Sequence, residues 1–152
     1  MNYEPFIIGC EGSWIPTLAG VEAKLRTGAR IADVGCGVGA STMILAEAFP
    51  HSTINGSDYH DASIELARKR AADAGVAEQT SFDVASTQTF SGTNYDLVAT
   101  FDCLHDMGDP LGAARHVRQA LTTDGTWLVV EPYAGDTPAD NLTVTAAWHV
   151  AV

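Results

Sequence analysis

The sequence predicts an α/β protein built on a doubly wound, mainly parallel sheet of five or six strands. Three observations carry that expectation. Short strand-like runs alternate with amphipathic stretches of helical period, the pattern of βαβ units. A glycine-dense loop follows the first run. The notable polar residues cluster at the carboxyl ends of the runs, where such sheets bind ligands.

Taken in order, Trp14, Leu18, Val21 and Leu25 step by four, three and four, one apolar face of a helix over 14–27. Residues 30–35 form a short apolar strand, and 41–49 a helix closed by Pro50. Residues 53–58 make a second strand. Asp61 is placed to cap a helix whose face is Ile64, Ala67, Ala71 and Ala74, ended by Gly75. Strands follow at 80–85 and 95–101, the latter apolar enough to be buried on both faces. Asp109-Pro110 opens a helix, cap then N1 proline, with a face of Leu111, Ala114, Val117 and Leu121 and a stop at Gly125. Residues 126–132 are a fifth strand. The chain then divides into a helical lead (1–28), a core (29–132) and a short tail (133–152), all one domain; the tail is long enough for one short strand or a helical turn.

Composition narrows the partners. A 152-residue chain can bury one real core. The net charge is −11 with 8 Lys and Arg, too few cations for a polyphosphate backbone, so a small molecule rather than nucleic acid is expected. No apolar run is long enough for a bilayer, and the first residues lack the basic start of a signal peptide. Cys10, Cys36 and Cys103 are odd in number without CxxC spacing, which argues against a disulfide framework or zinc site and fits a reducing cytoplasm.

The loop "ADVGCGVGAS" leaves two ligands to weigh. Gly35, Gly37 and Ala40 satisfy the dinucleotide pattern, with Asp58 near the place of its ribose-binding acid. Two details oppose that reading. Gly39 makes the loop G-x-G-x-G, and Asp33 sets a carboxylate two residues before the first glycine, where it would repel a pyrophosphate.

D-x-G-x-G-x-G after the first strand resembles motif I of the class I S-adenosylmethionine-dependent methyltransferases, of small-molecule type, and the likeness runs from about residue 12 to 135. The resemblance implies a Rossmann-like core that binds S-adenosyl-L-methionine and releases S-adenosyl-L-homocysteine. It assigns Asp33 to the methionyl amino group and Gly35, Gly37 and Gly39 to close passage of the backbone, with Cys36 an apolar spacer among them. Asp58 falls to the ribose hydroxyls, and Asp83 to the adenine amino group. Val84 and Tyr59 would wall the adenine, and Asp102 joins the cofactor contacts.

His105-Asp106-x-x-Asp109 looks like the H-D-W-x-D stretch of caffeic-acid-type O-methyltransferases, whose histidine is the base; Met107 stands in place of the tryptophan. His105 is therefore a catalytic base, a wall of the cofactor site, or structural. Asp106 either orients it or meets solvent, and Asp109 is a cap. Asp102, Asp106 and Asp109 straddle a strand end and a cap, so no metal site is expected. Glu131 is placed near the acceptor pocket, while Phe101 and Trp127 belong to the core.

The family sheet has seven strands ordered 3-2-1-4-5-7-6. Here the expectation is truncation after strand five, with an exposed flank that invites self-association into a homo-oligomer unless the polypeptide is a piece of something longer. Two functions follow: methyl transfer to a small-molecule acceptor, at oxygen if His105 is the base, or a catalytically incomplete cofactor-binding module. A nicotinamide-dependent oxidoreductase is disfavoured by Asp33.

Overall fold

The computed structural model describes residues 14–132, Gly135, Thr137 and, as backbone, 148–151. Six strands form one sheet in the order β3-β2-β1-β4-β5-β6. They are β1 (Arg30–Val34), β2 (Thr53–Asp58), β3 (Thr80–Val84), β4 (Tyr95–Phe101), β5 (Leu121–Pro132) and β6 (Trp148–Ala151). The first five run parallel, and β6 pairs antiparallel with the end of β5. Strand order reverses between β1 and β4, which opens a crevice beyond their carboxyl ends.

Helices α1 (Trp14–Thr17), α2 (Val21–Thr27), α3 (Ala40–Ala48) and α4 (Asp61–Asp73) contribute to one core with Ile31, Ile54, Leu97 and Leu128. The alternate residues Ala32, Val34 and Val98 face a second, smaller core with Phe90 and the helix α5 (Pro110–Ala120). Period-two alternation along β1 and β4 thus feeds both layers. The β3–β4 connection carries no helix. Phe90, 2% exposed, plugs the second core from that loop, and His116 of α5 holds its carbonyl at 2.9 Å. No helix among the described residues is long and apolar enough to cross a membrane.

Four sequence expectations change. The helix expected over 14–27 is two, because Gly20 adopts φ 75° and starts a new axis at α2. Asp61 begins α4 but makes no side-chain cap; Asp58 instead accepts from the His60 N–H at 2.9 Å. The buried face of α5 is Ala113, Val117 and Ala120, with Leu111 left 59% exposed. Small side chains allow the helix to sit close to the sheet, which a stripe read from the larger residues misses. Gly125 does not stop α5, which ends at Ala120; β5 starts at Leu121, and its register slips between the pairs Tyr95–Leu121 and Leu97–Thr126.

The flank of β5 also differs from expectation. Val129, Val130, Glu131 and Pro132 pair with Ala151, Val150, His149 and Trp148. The tail thus supplies the one short strand the sequence allows it, on the edge expected to be exposed, and the six strands fall within the five or six expected.

Candidate functional site

The crevice holds a cavity of about 340 Å³, within the range of small-molecule sites. Each wall comes from the end of a strand. Gly35 follows β1, Asp58 and Tyr59 close β2, Ala85 to Gln88 follow β3, and Asp102, Cys103 and Asp106 to Gly108 follow β4.

The glycine loop is fixed from below. The Gly35 and Cys36 N–H groups donate to the Ser57 carbonyl at 2.8 and 3.0 Å, and Gly39 at φ 79° turns the chain into α3. The Gly37 N–H donates to Asp58 Oδ2 at 3.0 Å, tying the loop to the end of β2. A Cβ on Gly37 would meet nothing within 4 Å, so the backbone there borders open space. A Cβ on Gly35 would instead strike Cys103 Sγ at 2.7 Å.

Asp33 lies beneath the loop, 1% exposed. Its Oδ2 accepts from Ser41 Oγ and Thr42 Oγ1, both at 2.6 Å, which pins the first turn of α3. Its Oδ1 is buried without a partner. Burial raises its pKa to about 6, against the two hydroxyl bonds that lower it. Cys36 is buried and does not line the cavity, and burial drives its thiol well above the ordinary range. Cys103 lines the cavity with its thiol pushed up to about 12, by burial first and then by the Asp33 charge. Neither is a ready nucleophile.

Of the residues singled out in the sequence, Gly35, Asp58, Tyr59 and Asp102 meet in this cavity, and Gly37 joins them through Asp58. Asp83 does not. Strand alternation turns its carboxylate to the second face, where it accepts from Asn55 Nδ2 and Ser91 Oγ at 3.1 and 2.6 Å. There it borders a separate cavity of about 430 Å³. Val84 is 48% exposed and outside the lining. The part of β3's exit that reaches the crevice is Ala85 to Gln88, which sequence reasoning passed over. The polar run "STQT" directly after the strand was the available signal.

After β4, Asp102 takes φ 54° and turns the chain abruptly out of the sheet. Glu131, at the end of β5, gathers the next residues. Its Oε1 accepts from the Cys103 and Leu104 N–H groups at 3.1 and 2.7 Å, and its Oε2 lies 2.5 Å from His105 Nδ1. Asp102 Oδ1 stands 4.0 Å from the same nitrogen, and Asp106 Oδ2 3.6 Å from Nε2. The Glu131 hydrogen bond, aided by the three carboxylate charges, raises the His105 pKa above its ordinary value. The side chain of His105 is 48% exposed and is not among the residues that line the cavity, although its neighbours Asp102, Cys103 and Asp106 are. Asp109 is the cap of α5, accepting from the Gly112 N–H at 2.8 Å.

The donor atoms of Asp102, His105 and Glu131 lie within 4.8 Å of one another. Of the three carboxylates Asp102, Asp106 and Asp109, Asp109 serves as the cap of α5, and the group that forms instead takes Glu131 from β5.

Residues 25–149 match the family described as a methyltransferase domain. A ubiquinone biosynthesis O-methyltransferase of Bordetella avium is 32% identical over 116 residues, which is 76% of this chain and 45% of that protein. The solved YcgJ protein of Bacillus subtilis superimposes with a TM-score of 0.68 at 26% identity, over 75% of this chain and 48% of its own. An O-methyltransferase from a trans-AT PKS multienzyme of Brevibacillus brevis, solved with S-adenosyl-L-homocysteine, gives a TM-score of 0.64 over 71% of this chain and 39% of its own. At 20% identity that last likeness speaks for the fold alone. The chain spans less than half the length of such curated relatives. A family match over most of the chain, laid on a glycine loop at the sheet's switch point, places it among the class I S-adenosylmethionine-dependent methyltransferases.

Proposed function

We propose that this chain binds S-adenosyl-L-methionine in the crevice and methylates a small-molecule acceptor at oxygen, with His105 as general base. The observation that carries the reading is the His105–Glu131 pair, set in the turn whose Asp102, Cys103 and Asp106 line the cavity together with Gly35. The donor set fits the cofactor. Asp33 holds a buried carboxylate oxygen with no partner, suited to an ammonium group, and the backbone at Gly37 is open to close approach. Asp58 uses its oxygens on Gly37 and His60 N–H groups and keeps lone pairs for ribose hydroxyls. Tyr59 offers an aromatic wall, and Ser86 and Thr87 take the place assigned in the sequence to Asp83. Once bound, the cofactor supplies a methyl group on a sulfonium, a good leaving group.

The chain's own residues then have two tasks. The crevice must hold the acceptor oxygen in line, and most of the rate comes from that alignment. His105 must take the hydroxyl proton. With Nδ1–H donating to Glu131, the lone pair sits on Nε2, the nitrogen away from Glu131, with Asp106 Oδ2 3.6 Å from it. Glu131 fixes that tautomer and stabilises the imidazolium after transfer. We assign the whole chain to one cytoplasmic domain, with the lead, core and tail divided at residues 28 and 132.

A second reading, a cofactor-binding module without catalysis, is favoured by the exposure of His105 outside the residues that line the cavity. Calorimetric titration with S-adenosylmethionine and S-adenosylhomocysteine, with Asp58→Ala as the control, tests the common ground. Saturable binding that the substitution removes supports the cofactor site. A folded chain that binds neither compound defeats both readings. Binding without methyl transfer to a panel of hydroxylated acceptors favours the module.

A further inference from the structure

We propose that Asp102, His105 and Glu131 form a binding site for a borderline divalent cation, zinc being the best match, and that this cation and the base function of His105 exclude one another. The second half of the proposal rests on the reading of His105 as base; the first does not.

The three side chains come from the end of β4, the turn after it and the end of β5, and they present one nitrogen and two carboxylate oxygens to a common point. Zinc bonds to such donors at about 2.0–2.2 Å, so neighbouring donors around one tetrahedral ion sit about 3.4 Å apart. The His105 Nδ1–Glu131 Oε2 contact of 2.5 Å must open and the Nδ1–Asp102 Oδ1 separation of 4.0 Å must close, each by less than about 1 Å. Small side-chain rotations reach that. Two carboxylates offset the dication's charge, and a nitrogen ligand favours zinc over magnesium, which prefers oxygen alone.

The surroundings supply the support that metal ligands usually have. Glu131 is anchored through Oε1 by two backbone N–H groups, which leaves Oε2 as a fixed donor. Asp106 stands 3.6 Å from Nε2, placed to accept from that nitrogen when the other one is ligated. Three protein ligands leave further coordination positions open, next to the cavity that Asp102 lines.

The consequence for His105 follows from proton counting. A neutral imidazole bound through Nδ1 carries its one proton on Nε2. The lone pair that would take an acceptor's proton is then gone. In the cation-free chain the proton lies on Nδ1, bonded to Glu131, and Nε2 is the base. One imidazole cannot hold both states.

The test titrates the full-length chain with zinc chloride against a chromophoric chelator, without cofactor or acceptor. The expected result is one equivalent of zinc, bound at least tenfold more weakly by Asp102→Asn and by Glu131→Gln, and unchanged by Asp61→Asn on the exposed start of α4. Circular dichroism of each variant separates lost ligation from lost folding. Absence of saturable binding, or binding that either ligand variant leaves intact, overturns the site. A second readout follows acylation of His105 by diethylpyrocarbonate, detected by peptide mass spectrometry. Zinc is expected to protect His105 in the native chain and not in Asp102→Asn. Equal labelling with and without zinc defeats the exclusion, and neither readout depends on methyl transfer.

Discussion

Replacing Asp33 with asparagine separates what this carboxylate does for binding from what it costs the fold. The native side chain is 1% exposed, accepts two hydroxyl hydrogen bonds through Oδ2 and leaves Oδ1 without a partner. Its pKa is raised from 3.8 to about 6, with burial the largest cause. A carboxyl whose folded pKa exceeds its unfolded value favours folding below the unfolded pKa, and that contribution is lost as pH rises through the folded one. Two pKa units correspond to about 3 kcal/mol, so the ionised group penalises the fold by roughly that at neutral pH. About half of the change falls between pH 5 and 7.5. Asparagine keeps the shape and an acceptor for Ser41 and Thr42, removes the titration, and buries an unpaired amide at a cost of about 1–3 kcal/mol. The difference in stability between Asp33→Asn and the native chain should therefore move in favour of the variant by about 1.4 kcal/mol from pH 5 to 7.5. Urea unfolding at several pH values measures it, and calorimetry at pH 7.5 should show weaker S-adenosylmethionine binding by the same variant. A stability difference that does not vary with pH would refute the reasoning, because it would mean that Oδ1 finds a partner and the carboxyl titrates normally.

Other expectations can be tested on the same purified chain. Gly39→Ala forces an alanine to φ 79° and drives its Cβ to 2.9 Å from that of Ala67, whereas Gly20→Ala meets nothing within 4 Å at a similar φ. Denaturant unfolding should show a loss of about 1–2 kcal/mol at Gly20 and a clearly larger one at Gly39; equal losses would discount the contact. Phe90→Ala empties the second core and should cost about 3–5 kcal/mol, and a loss under 1 kcal/mol would mean that the β3–β4 loop is not a structural plug. In chelator-treated buffer, methyl transfer should rise with pH through the His105 titration, because the base must be deprotonated. Glu131→Gln removes the bond that raises that pKa, so the rising limb should shift to lower pH while the maximal rate falls. A limb that stays in place would detach His105 from Glu131.

The parts of the molecule legible in the sequence are those with short-range causes. β1, β4 and the end of β5 announce themselves as apolar runs, whereas β2 and β3, each with only one or two large apolar residues, are placed by their alternation with helices. The glycine loop and Asp58 are equally local, since the tight turn and its acidic neighbour follow from a few residues. Asp83 shows where that reading stops. One step along a strand reverses the face, and no local pattern states that Asp83 looks to Asn55 while Ser86 and Thr87, beyond the strand, reach the crevice. Glu131 was visible as the end of an apolar strand, but its hold on Cys103, Leu104 and His105 spans 26 to 28 residues and needs β4 and β5 side by side. The same limit applies to α5, whose buried face is set by how closely the sheet approaches.

The β5 edge carries this distinction into an experiment. An unpaired strand edge recruits another strand, and the sequence offers two recruits, a second copy or one short strand of the tail. In the structure β6 pairs with Val129 to Pro132, while Leu121 to Leu128 have no partner on that side among the described residues. The four residue pairs with β6 cover the stretch leading into Glu131, so losing them should disturb the site as well as the edge. A chain ending at residue 146 should associate in a concentration-dependent way by light scattering, and its His105 should become more reactive to acylation as Glu131 loosens. If the shortened chain stays monomeric with His105 unchanged, β6 contributes little to either. If both chains associate equally, the pairing edge lies elsewhere, on the outer side of β3, the other edge of the sheet.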